Sequence, residues 1–218
     1  MKTPIFMLLV APVAASCVSN KVGSVDTSSV EDIPALIEGL AISREPASNQ
    51  PFITLGNEEN AKIAKRVYKI ADELETWGIE AFPPLLETLN DQRQSVPFRS
   101  VLPSTVGDAC YCIITRQLYA LPENYPRSFS RIGADQKSHR RPVFLKSQFD
   151  DVGLKKWLEE RESNSLVELQ IEALTWVLEE ERKIGTASRK DHRKFIAPLE
   201  RKLETLTKKA EQNVDPNA

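Results

Sequence analysis

The sequence predicts an all-α protein. Apolar residues recur at spacings of three and four through most of the chain. Hydroxyl and acidic residues with capping spacing, and prolines, punctuate those runs as helix boundaries. Almost no stretch alternates polar and apolar residues as a half-buried strand does.

Ser28-Ser29-Val30-Glu31 has capping-box spacing, and Ile33, Leu36, Ile37 and Leu40 follow on one helical face, with Pro34 near the start. A loop spans 43–56, after which Asn57 caps a second helix whose face carries Ala61, Ala64, Val67, Tyr68, Ala71 and Leu74. Trp77-Gly78 ends it, glycine being the usual helix stop. A third helix covers Ile79 to Leu89. The fourth lies between Pro103 and Pro122, in "LPSTVGDACYCIITRQLYALP". Ser104 or Thr105 caps it, and Asp108 meets its free amide hydrogens and positive end. Asp150 or Asp151 caps a fifth helix with Leu154, Trp157 and Leu158, and Ser165 to Glu168 forms a capping box for a sixth, which Gly185 stops. Ile196, Leu199, Leu203, Leu206 and Ala210 define a last helix that starts or kinks at Pro198. The segment "RPVFL" is the one candidate for extended structure.

The chain opens MKTPIFMLLVAPVAASC. One lysine, a short apolar core and a run of small residues have the form of an export signal, too short to span a membrane. Ala14-Ala15-Ser16-Cys17 resembles the lipobox of bacterial lipoproteins, with Ala14 where leucine is usual. That resemblance implies cleavage before Cys17, diacylation of its thiol, and anchoring of the mature chain. Multiple acyl chains exceed the threshold for stable attachment. Val18 resembles the residue pattern that directs lipoproteins to the outer rather than the inner membrane. Two other readings stay open: cleavage after Ala15 to release a soluble periplasmic protein, and a retained apolar N-terminus.

The expected organisation is a signal peptide at 1–16, a lipid-anchored tether at 17–27, a helical domain at 28–185, and a C-terminal helix and tail at 186–218. "LETWGIEAFPPLLETLND" resembles the joint of a HEAT-like repeat, in one copy only. The architecture expected is therefore a HEAT-like or irregular array of helical hairpins. "TVGD" with the small residues after it, and "WLEER" with the later "SLVELQIEALTWVLEEE", resemble exported bacterial proteins of no assigned activity. That resemblance covers roughly residues 60–185 and implies a shared fold, with no catalytic residues attached.

Formal net charge is only −2, so the chain has no overall nucleic-acid signature. Charge is nonetheless segregated. The stretch 122–149 is a long basic loop; from Arg127 to Lys146 it bears Arg127, Arg131, Lys137, Arg140, Arg141 and Lys146 against Asp135 alone, with Tyr125, Phe129 and Phe144 beside or among them. Residues 150–183 carry ten acidic against five basic side chains, and 189–211 turn basic again. The loop's six cations are the candidate contact with an anionic envelope component or a protein partner. The competing reading is a solvated loop paired with the acidic helices.

Cys110 and Cys112 lie about 200° apart around one helix, so they cannot close a disulfide or share a metal there. Buried small hydrophobes are the expectation, against a redox thiol or a metal ligand. Asp150-Asp151 and Glu179-Glu180-Glu181 read as a cap and an exposed helix end rather than as catalytic pairs. No nucleophile elbow, phosphate loop or cofactor motif is present in the sequence. The expectation is a membrane-anchored, non-enzymatic interaction module, with no cofactor, no metal and no nucleic-acid partner. The alternative is an envelope enzyme of unrecognised type near Asp108, with Arg116 the nearest other polar group.

Overall fold

The structure is a computed structural model that describes residues 32–42, 58–98, 104–125, 148–149, 153–184 and 192–213, and the backbone alone of 131–132 and 139–140. Within them the chain is all-α, as the periodicity requires. The capping box at 28–31, Asn57, "RPVFL" and Gly185 lie outside the described residues.

Helix α1 (Ile33–Glu38) begins with Pro34 in its first turn and buries Ile33 and Ile37. Helix α2 (Glu58–Thr76) buries only Val67, Ala71 and Leu74 of its expected face; Ala61 is exposed and Tyr68 keeps 39% of its surface. Gly78, at φ +61°, then turns the chain, and a 3-10 turn (Gly78–Ala81) leads straight into α3 (Phe82–Glu87). The third helix expected over 79–89 is thus a 3-10 turn joined to a shorter α-helix. Prolines at its first positions explain why: each lacks the amide hydrogen an interior turn would need.

The centre of the molecule is α4 (Val106–Tyr119). Thr105 is its N-cap, and Asp108 completes a reciprocal capping box, accepting from the Thr105 amide at 3.0 Å while its own amide donates to Thr105 Oγ1 at 3.0 Å. A two-residue antiparallel pairing of β1 (Gln94–Ser95) with β2 (Ser104–Thr105), in register Gln94 to Thr105, fixes the entry to this helix. Eleven of its fourteen residues are buried. The periodicity predicts one buried face, but α2 and α3 cover one side and α6 the other, so Cys112, Thr115, Gln117 and Tyr119 are buried too. The helix ends on Ala120 at φ +41° and ψ +37°, a left-handed conformation that costs a residue with a Cβ about 1–2 kcal/mol.

Helix α5 (Leu154–Glu159) starts from Gly153, two and three residues after the aspartates expected to cap it. Those aspartates lie outside the described residues. Helix α6 (Leu166–Ile184) does open on the expected box, with Ser165 Oγ donating to Glu168 at 2.8 Å and the Ser165 amide donating to the same oxygen at 2.7 Å. Helix α7 (Ala197–Asn213) follows a π-helical turn (His192–Ile196), with Pro198 at its second position, so the proline marks a start and not a kink. Together with that turn it packs along α6, placing Phe195, Ile196, Leu199 and Leu206 in the common core.

A candidate basic interface

Four of the six cations singled out in the sequence, Arg127, Lys137, Arg141 and Lys146, lie outside the described residues. The backbone at the other two is paired: β3 (Arg131–Ile132) runs antiparallel to β4 (His139–Arg140), in a register that sets Arg131 opposite Arg140. The loop reading is corrected to that extent, since part of the basic segment is a two-stranded ladder.

Both ends of the segment are fixed in the core. At the entry, the Tyr125 amide donates to the Pro122 carbonyl at 3.0 Å in a turn, and the ring is 2% exposed. Its hydroxyl donates to Glu181 Oε1 at 2.5 Å, and its ring meets Phe195 edge-on at 6.4 Å between centroids. At the exit, Phe149 is also 2% exposed and packs between Tyr119, at 5.7 Å, and Trp157, at 5.1 Å. The stack continues outward through Arg161, whose guanidinium lies 4.3 Å from the Trp157 ring and forks onto Glu172 at 2.7 and 2.8 Å. The basic segment therefore leaves the core from one buried aromatic and re-enters it at another.

Glu181 is a correction. The glutamate triplet reads in sequence as an exposed helix end, yet Glu181 has no exposed surface. Glu179 and Arg182 are exposed and Glu180 is half-buried; Glu180 pairs with Lys183, and Arg182 with Glu200 of α7. The signal lay in the spacing: 181 is 174 plus seven, 177 plus four and 178 plus three, all buried positions.

Comparison with protein-family models, with curated proteins and with solved structures gave no match. The chemistry of the remaining candidates therefore rests on geometry alone. Asp108 is an exposed capping carboxylate, engaged by the Thr105 amide and hydroxyl. Arg116 reaches Glu75 of α2 at 3.2 Å. The two do not meet at one centre. A shallow open depression runs along α2 past Ala61, Ala64, Tyr68 and Asp72, offering little beyond a helix surface. Among the described residues, no three His, Cys, Asp or Glu side chains converge to hold a metal, and no helix is long and apolar enough to cross a membrane.

Arg93 ties α1 to the loop after α3, forking onto Glu38 at 2.5 and 3.0 Å and onto Asp91 at 2.6 Å. Those hydrogen bonds hold both carboxyls below their usual range. Their contribution to stability is therefore present at neutral pH and is lost as acid protonates them.

Cys110 and Cys112 form no disulfide and are both buried. Burial pushes the Cys110 thiol up to about 12, so it carries almost no thiolate at neutral pH. In a native chain carrying Cys17→Ser, neither thiol should react with an aromatic disulfide reagent at pH 8 within minutes, and both should react on unfolding. Rapid labelling of Cys110 in the folded protein would restore the redox reading.

Proposed function

We propose that the chain is a lipid-anchored helical module of the bacterial cell envelope that acts by binding rather than by catalysis. In this reading the first sixteen residues direct export, Cys17 carries the acyl chains, and the outer membrane is the destination. The 3-10 turn joined to α3 supports a HEAT-like hairpin at 74–91, set in an otherwise irregular array. The contact patch is the basic segment with Arg127, Arg131, Lys137, Arg140, Arg141 and Lys146, and its partner is an anionic envelope component or an acidic protein face. The observation that carries this is the anchoring of the segment at both ends, by Tyr125 and Phe149 in the core. Ends so fixed limit the span the segment can explore, which lowers the ordering cost of binding.

The test begins with the intact N-terminal mass and membrane partition of the wild type beside Cys17→Ser. A triacylated Cys17 in the membrane fraction, with the variant in the soluble fraction, is expected. A mature chain beginning at Ser16 would make the protein freely diffusing, and one still beginning at Met1 would end the export argument. Charge reversal at Arg131, Arg140 and Arg141 should then abolish in-cell crosslinking to the partner.

A further inference from the structure

Helix α7 is the last element of the fold and divides its surface three ways. At 100° per residue, Leu199, Leu203, Leu206 and Ala210 fall on the side that meets α6. Glu200, Glu204 and Glu211 form one flank, from which Glu200 reaches back to Arg182 of α6 at 2.9 Å. Arg201, Lys202, Lys208 and Lys209 form the other, within an arc of about 120° shared only with Thr205, Gln212 and, buried at its start, Pro198. Arg201, Lys208 and Lys209 are exposed. Lys208 pairs with Glu204 at 2.6 Å, while Arg201, Lys202 and Lys209 have no ion pair among the described residues. The chain as a whole is slightly acidic, so this stripe is a local concentration and not a reflection of composition.

We infer that this stripe of α7 is a docking surface for an anionic phospholipid bilayer. The inference rests on the membrane-anchored reading above and adds the face that the domain turns toward the membrane. Its chemistry separates a bilayer from a protein partner. The outer part of the stripe is straight, lysine-rich and without an aromatic or aliphatic anchor. Protein interfaces concentrate their affinity in buried aromatic and arginine anchors and are depleted in lysine. Lysine and arginine on an exposed helix instead meet lipid phosphates through long-range attraction, with no need for a shaped pocket. Of the acidic flank, Glu200 turns back to α6 and Glu204 is held in its pair with Lys208.

The experiment uses the full chain carrying Cys17→Ser, so that no acyl chain contributes. It measures co-sedimentation with vesicles of phosphatidylglycerol and phosphatidylethanolamine, against vesicles of phosphatidylcholine alone. The chain should partition to the anionic vesicles, and added salt should release it. Replacing Arg201, Lys208 and Lys209 by glutamine should lower the partition coefficient on the order of 100-fold, at about fivefold per cation. These side chains are exposed, so an unchanged thermal midpoint will separate lost binding from lost folding. Equal partition to neutral and anionic vesicles would overturn the inference, as would wild-type partition by the triple variant. Loss in Arg131→Gln/Arg140→Gln with none in the α7 variant would overturn it too, placing vesicle contact on the basic segment. An unmodified Cys17 in cells would sink the anchor without touching this assay, so the two failures are distinct.

Discussion

Gly107→Ala should cost about 3–5 kcal/mol of folding stability, a loss seldom seen for one added methyl group. A Cβ at position 107 would lie 2.1 Å from the Leu89 carbonyl oxygen and 2.8 Å from its carbon. Both atoms belong to the backbone, so no rotamer change can relieve the overlap. The helix must instead withdraw from the loop, and that loop is what satisfies its first amides. Val106 donates to the Arg93 carbonyl at 2.8 Å and Gly107 to the Asp91 carbonyl at 3.0 Å. Two hydrogen bonds worth about 1 kcal/mol each are lost as the clash is relieved. Thermal unfolding should show a midpoint lowered by about 10 °C, at 2–4 °C per kcal/mol for a chain of this size. A shift under about 2 °C would mean that the loop yields freely and that the close approach is incidental.

Tyr125→Phe is the second large effect, expected at about 1.5–3 kcal/mol. The substitution keeps the ring against Phe195 and removes only the hydroxyl that donates to Glu181. The acceptor is a fully buried carboxyl oxygen, and the loss of a partner in a water-poor interior costs more than the bond contributes in the open. A double-mutant cycle of Tyr125→Phe with Glu181→Gln isolates the pair, and calorimetry should return a coupling of at least about 1 kcal/mol. Additive effects would show that the hydroxyl and the carboxyl stabilise the fold independently.

What the sequence discloses here follows from how local each cause is. The two capping boxes, Thr105 with Asp108 and Ser165 with Glu168, are settled within four residues, and both appear at the expected places. The burial of Thr115 and Gln117 depends on helices far away in sequence closing over the second side of α4, which periodicity within α4 cannot report. Gly107 is legible as part of a helix start. Its real constraint, the Leu89 carbonyl, comes from a loop eighteen residues earlier. The pairing of Arg131 with Arg140 leaves no alternation over two residues to read, and Glu181 was concealed by the charge of its neighbours.

The burial of Tyr125 and Phe149 also bears on how this protein can change. Joining two ends held by the core carries an entropic cost of loop closure. That cost rises only by about 0.6 kcal/mol for each doubling of length. By that measure an insertion in the segment costs the scaffold little chain entropy, while substitutions at 125 and 149 remove buried aromatic packing. On the proposed reading, selection can rewrite what the segment recognises at little cost to the fold that carries it, so lineages could diverge in partner long before they diverge in architecture.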